Sequence, residues 1–448
     1  MHSSSDFRLS RLFAAAALAA LLAGCGRDEP RSAAPAPDRP AAEAPAPAET
    51  ASRLDPEALA RIDAELDRLA EAGDRSGYVM AIAMDGRVEH VSEAGYADID
   101  SATPMTADTV MRIASMTKPV TAAAILILAE DGALEVGDPV SDYVPAFAET
   151  RVATSVSRND DYEIPTEPLA RPITLEDLLT HTSGLGYVFD YETNLGALYL
   201  DTNVYEDRSL SLADRNAALA GLPLYFQPGE RWQYSWSNDV LGSVIEEASG
   251  MSFEDFVQER IFGPLGMDST TFFPARNPAI MDRVATLYTH DEDGALVAID
   301  PRTDFAADAN VEAGGAGLFS TVNDYMRFAQ MLANGGELDG ARILSPESIA
   351  AMATDHVGPD RMPDDMNRQN LGYGYSVGVT REGDGPAPAG LPGDFGWGGY
   401  FDTSFTISPS TGLVAVIMAQ EQPGPGTQGT TGAGAVFRPL LSDALGGG

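Results

Sequence analysis

Along this chain, apolar residues fall into stretches of two different periods. Between Asp55-Pro56 and Gly73, Leu59, Ile62, Leu66 and Leu69 recur three or four positions apart. That spacing predicts an amphipathic helix capped by Asp55, entered through Pro56 and ended at Gly73. The flanks of Asp85-Gly86, YVMAIAM before it and RVEHVSEAGYA after it, are rich in β-formers. The turn dipeptide joins them into a hairpin. Toward the other end, TSFTISPS and GLVAVIMAQ predict a second strand pair, followed by a helix in AVFRPLLSDAL. The long middle is helical in pattern: TLEDLLT, with Thr174 positioned to cap, then NDVLGSVIEEASG, SFEDFVQERIF and NDYMRFAQMLANGG. No internal repeat interrupts this layout. Sheet-forming ends around a mostly helical insertion predict an α+β domain over residues 54–445, with strands from both chain ends sharing one antiparallel sheet flanked by helices.

Ahead of that domain the pattern changes twice. Arg8 and Arg11 precede LFAAAALAALLAG, an apolar run too short to span a bilayer comfortably, so residues 1–24 read as a signal peptide. Leu22-Ala23-Gly24-Cys25 is similar to the bacterial lipoprotein cleavage box, in which the cysteine becomes the lipidated N-terminus. Cys25 is the only cysteine, which excludes a disulfide within the chain and fits a site of lipid attachment. Residues 25–53 are Pro/Ala-rich with almost no large apolar side chains, the composition of a tether. The expected location is therefore the periplasmic side of a bacterial membrane, inner or outer, with contact to the membrane through the N-terminal lipid anchor only.

Charge narrows the partners. The 448 residues carry 28 basic against 67 acidic side chains, a formal net charge of −39. Such a surface argues against nucleic acid or an anionic bilayer as a partner of the folded domain and repels anionic substrates. A monomer is expected. Among the 28 basic residues there is a single lysine, Lys118, in RIASMTKPV. Pro119 is tolerated only in the first turn of a helix, so a helix begins within about four residues before it and runs through the apolar stretch to Asp131-Gly132. Ser115 then lies at or beside the helix N-terminus, one turn from Lys118 on the same face. Arginine stays protonated at any working pH, whereas a desolvated lysine can give up its proton and accept one from a serine. The pair reads as a nucleophile and its base, with the Ser115 backbone N–H among the unpaired donors that can hold an oxyanion.

The stretch from Gly95 to Phe147, which contains this pair, resembles the serine hydrolases of the β-lactamase/penicillin-binding-protein superfamily. Within it the chain is most similar to class C β-lactamases and the esterases related to them. LEDLLTHTSGL at 175–185, QPGERWQYS at 227–235 and GGAGLFSTVNDYMRFAQML at 314–332 agree, and the likeness covers nearly all of residues 54–445. The resemblance implies a β-lactamase/transpeptidase-like fold with Ser115 as nucleophile and Lys118 as its partner. It also implies that Tyr234, in Tyr234-Ser235-Trp236, shuttles the serine proton to the leaving group. Trp236 stands where the family has an asparagine that contacts the amide side chain of β-lactams. Trp397-Gly398-Gly399 stands where β-lactamases carry Lys-Thr-Gly, so the cation that holds a β-lactam carboxylate is replaced by an apolar wall and glycines. Asp394 nearby disfavours an anionic ligand further. This pattern resembles the esterases of the superfamily and implies that Trp236, Trp397, Gly398 and Gly399 contact substrate. By the same likeness, the Tyr400 backbone N–H completes the oxyanion hole with that of Ser115.

Two competing motifs carry less. Gly374-Tyr375-Ser376-Val377-Gly378 matches the G-x-S-x-G elbow, but no helix-forming run follows it and no histidine comes after His356. His90, His181, His290 and His356 lack metal-ligand spacing, and HDEDG at 290–294 reads as a polar turn. The reading is a serine hydrolase of small neutral carboxylic esters working through an acyl-enzyme on Ser115, with no cofactor and no metal. A β-lactamase or D-amino-acid peptidase would share the nucleophile but has to hold a carboxylate. A non-catalytic envelope binding or sensor protein on this fold would acylate lastingly or not at all.

Overall fold

The computed structural model describes residues 53–73, 75–156, 163–202, 204, 210–299, 311–383, 390–424 and 432–445. The expected signal peptide, Cys25 and all of the tether except Arg53 lie outside the described residues.

Helix α1 (Pro56–Glu71) forms as its pattern predicts: the Asp55 side chain accepts from the Glu57 N–H, and Ala58, Ile62, Leu66 and Leu69 are buried. Burying each large aliphatic side chain of that stripe contributes about 1.5–3 kcal/mol. Strands β1 (Gly77–Met84) and β2 (Arg87–Asp98) pair antiparallel. They turn at Asp85 and Gly86, with φ of 50° and 79°, the left-handed pair a tight hairpin requires. The short edge strand β3 (Thr103–Pro104) follows, and five C-terminal strands complete the sheet: β4 (Leu371–Tyr373), β5 (Gly378–Thr380), β6 (Phe395–Gly399), β7 (Thr403–Ser408) and β8 (Leu413–Met418). The spatial order is β4-β5-β6-β7-β8-β1-β2-β3, so β1 lies against β8 and the two chain ends share one eight-stranded antiparallel sheet.

Every residue of β1 is buried. Its alternation divides two cores: Tyr78, Met80 and Ile82 face α1 and the C-terminal helix Ala433–Ala444, while Val79, Ala81 and Ala83 face the helical middle. That middle contains helices α2 (Thr117–Glu130), α3 (Leu175–Leu179), α4 (Ser237–Ser249) and α5 (Val322–Ala333). Thr174 caps α3 in a reciprocal box with Asp177. The predicted helix SFEDFVQERIF forms, as an α-helix over Phe253–Val257 that widens to a π-turn over Gln258–Phe262. Pro264 cannot donate to the carbonyl four residues back, and the ladder widens until the Gly263 N–H reaches the Gln258 carbonyl. Among the described residues no helix is long and apolar enough to cross a membrane.

Candidate active site

Ser115 sits in a 3₁₀ turn, Ala114–Met116, that runs directly into α2. The helix thus starts where Pro119 requires, with Ser115 beside its N-terminus. Pro119 has no N–H to give the Ser115 carbonyl, so the entry turn closes with shorter bonds, the Thr117 N–H reaching the Ala114 carbonyl. Ala114, at φ 45°, occupies the left-handed region that costs an L-residue about 1 kcal/mol or more, and this strained residue turns Ser115 toward a cleft. One turn on, Lys118 is fully buried; its Nζ donates to Ser115 Oγ at 3.2 Å and to the Gly315 carbonyl at 2.7 Å.

Tyr234 enters from the segment just before α4. The Lys118 Nζ lies 4.5 Å from its ring centroid and 5.7 Å from that of Tyr187. The Tyr234 hydroxyl accepts from the Trp397 indole N–H at 3.4 Å, so Trp397 both walls the cleft and reaches the phenol. Trp236 is buried against Tyr187, with ring centroids 4.6 Å apart, and also reaches the cleft wall. Ser115, Tyr234, Trp236, Trp397, Gly398 and Tyr400 all line one cleft of about 580 Å³, a volume suited to a small organic substrate. Lys118 stands behind that lining.

Gly399, expected as a substrate contact, is also held by close packing. A Cβ there would stand 2.3 Å from the Ile113 carbonyl oxygen and 2.2 Å from Thr403 Oγ1, so this glycine lets β6 close onto the turn that carries Ser115. Gly399→Ala is expected to destabilise the domain by about 1–3 kcal/mol. It should also lower kcat/KM for a chromogenic ester about tenfold by displacing that turn, as denaturant melts and steady-state rates of the purified variant would register.

Other groups at the site were not legible as functional. His181, part of the LEDLLTHTSGL landmark, carries no metal-ligand spacing and no role of its own in the sequence. It is buried at φ 56°, its Nδ1 lies 3.0 Å from Ser235 Oγ, and its ring centroid is 4.8 Å from that of Tyr234. Burial, and then the charge of Lys118, push its pKa well below the usual histidine value, so the imidazole is neutral. Arg438, from the C-terminal helix, and Asp394 both reach the cleft wall. Burial lowers the guanidinium's pKa and raises that of the carboxyl. The wall thus holds one cation and one acid among its described residues. Asp394 was expected near the site because it precedes Trp397-Gly398-Gly399 by three positions, whereas only the fold brings Arg438 to this wall.

The sequence profile of the family described as Beta-lactamase matches residues 62–435. An uncharacterized protein of Mycobacterium tuberculosis is 35% identical over 381 residues, covering 80% of this chain and 89% of its own length. Esterase EstB of Burkholderia gladioli is 31% identical over 398 residues, covering 82% of this chain and 94% of its own. The solved structure of EstCE1, titled a hydrolase with promiscuous acyltransferase activity, superposes with a TM-score of 0.70 at 26% identity, covering 88% of this chain and 99% of that one.

Proposed function

This chain belongs to the β-lactamase family, and on that premise we propose that it is a serine hydrolase that cleaves small neutral carboxylic esters through an acyl-enzyme on Ser115. The observation that carries this reading is the contact of the buried Lys118 amine with Ser115 Oγ at 3.2 Å, beside the Tyr234 ring. In the proposed reaction Ser115 Oγ attacks the ester carbonyl, and Lys118 and Tyr234 take its proton and deliver it to the leaving alkoxide. The backbone N–H groups of Ser115 and Tyr400 hold the tetrahedral oxyanion, and water then releases the acid. The aromatic lining, with one acid and one cation among its described residues, favours a neutral, apolar substrate over one that must be held by its own carboxylate. The cleavage box at Cys25 supports the companion proposal of an exported, lipid-anchored protein.

Side-by-side turnover of p-nitrophenyl acetate or butyrate and a chromogenic cephalosporin tests the assignment. Efficient ester hydrolysis with little cephalosporin turnover is expected, and the reverse ranking rejects it. Intact mass after a short ester pulse separates the remaining alternative: a persistent acyl-protein without turnover would mark a sensor rather than a hydrolase.

A further inference from the structure

Behind Lys118, the glycine-rich segment 313–317 meets both α2 and α4. The Thr121 hydroxyl donates to the Gly314 carbonyl at 2.7 Å, Lys118 Nζ donates to the Gly315 carbonyl at 2.7 Å, and the Gly315 N–H donates to Asp239 Oδ1 at 3.2 Å. Neither glycine has room for a side chain. A Cβ on Gly315 would stand 2.4 Å from Asp239 Oδ2, and one on Gly314 would stand 2.3 Å from the Asn238 carbonyl oxygen.

Asp239 lies in the first turn of α4, where the helix dipole favours a carboxylate, yet it is only 7% exposed. Its Oδ2 takes no hydrogen bond among the described residues. The charges facing it are Lys118 from α2 and Arg215 from the helix Leu212–Ala220. Burial raises its pKa to about 6 against the opposing pull of Lys118, the Gly315 N–H and Arg215. A carboxyl this costly to ionise is poorly explained as a stabilising contact.

We propose that Asp239 is a positioning residue for the reaction: its carboxylate fixes the Gly315 backbone that receives the Lys118 amine, and its charge sets how readily the Lys118–Tyr234 pair releases its proton. The proposal rests on the roles given to Ser115, Lys118 and Tyr234 above. A negative charge opposes proton loss from a neighbouring cation, so removing it should make that loss easier. The acid limb of the rate profile then moves to lower pH.

The test is the pH dependence of kcat and KM for Asp239→Asn on p-nitrophenyl acetate. Expected are a fall in kcat of roughly tenfold or more, KM within about threefold of the parent, and an acid limb displaced downward by about half a pH unit or more. An acid limb that stays at the parent midpoint, whatever the fall in kcat, overturns the proposal. Asp239→Glu retains the charge and covers the case in which the amide variant does not fold. It should lose kcat through the displaced glycine segment while keeping the parent midpoint, and a downward shift in that variant would equally overturn the idea. Stability offers a second readout. The folded-state pKa of about 6 lies above the ordinary 3.8, so the acid contributes to stability while protonated, and that contribution is lost as pH rises through about 6. The melting temperature of Asp239→Asn relative to the parent should rise between those values and level off above them. Labelling the parent with a phosphonate ester keeps the two readings apart. An adduct away from Ser115 sinks the underlying mechanism, whereas an adduct on Ser115 with an unmoved acid limb sinks only the role of Asp239.

Discussion

Lys118→Arg is expected to lower the rate of p-nitrophenyl acetate hydrolysis by at least ~10²-fold, the scale of removing a general base. Arginine can reproduce the charge of lysine and its hydrogen bonds to the Gly315 carbonyl and Ser115 Oγ, but it cannot take up a proton at working pH. The variant therefore separates two uses of the same cation. If the site needs only a fixed positive charge behind the serine, turnover stays near normal and the proton-transfer reading is wrong. Since Lys118 is fully buried, the larger guanidinium should also cost about 1–3 kcal/mol through overpacking. Rates should accordingly be compared at a temperature where circular dichroism shows both proteins folded.

What made this pair legible in the sequence was local. Ser115 and Lys118 lie within one helical turn, Pro119 limits where the helix can start, and a single lysine in an otherwise arginine-based chain marks itself. The same holds for α1 and the two strand pairs, whose periodicity and turn residues are written in a dozen or so consecutive positions. That strands from both chain ends share one sheet was legible as well, because two unpartnered hairpins each leave an apolar face and an open edge to cover; which strands meet, β1 and β8, was not. The support around the pair was not legible. Asp239 stands in a stretch read only as helix, and His181 and the glycines at 314 and 315 stand in stretches that mark the family without showing what each residue does. Each gains its meaning only when α2, α4 and the glycine segment converge on the Lys118 amine. Gly399 shows a further constraint that its motif does not display. The motif points to a substrate contact there, and the close approach of the Ile113 carbonyl adds a packing demand that only a glycine meets.

Ser115→Ala is expected to remove ester hydrolysis by about 10³-fold or more and to abolish any acyl-protein in intact mass, while Ser376→Ala should keep turnover within roughly tenfold. Both serines sit in nucleophile-like motifs, and their surroundings separate them. Ser115 opens onto the cleft with the Lys118 amine at its oxygen. Ser376 is fully buried in the connection between β4 and β5, a strand-to-strand turn where an elbow would need a strand leading into a helix. Its left-handed backbone, at φ 59°, donates its N–H to the Leu179 carbonyl at 2.8 Å, and its hydroxyl accepts from Asn238 Nδ2 at 2.7 Å. That same amide lies 3.5 Å from the Lys118 carbonyl, so Asn238 links the start of α4 to α2, while Ser376 holds the start of α4 to the end of α3 and stays away from the cleft lining. Losing its hydroxyl leaves a buried amide short of an acceptor, which costs about 1–3 kcal/mol. The two variants should thus divide cleanly: the first loses chemistry and keeps its melting midpoint, and the second loses stability and keeps its chemistry. Acylation that survives Ser115→Ala but not Ser376→Ala would reverse the assignment of the nucleophile.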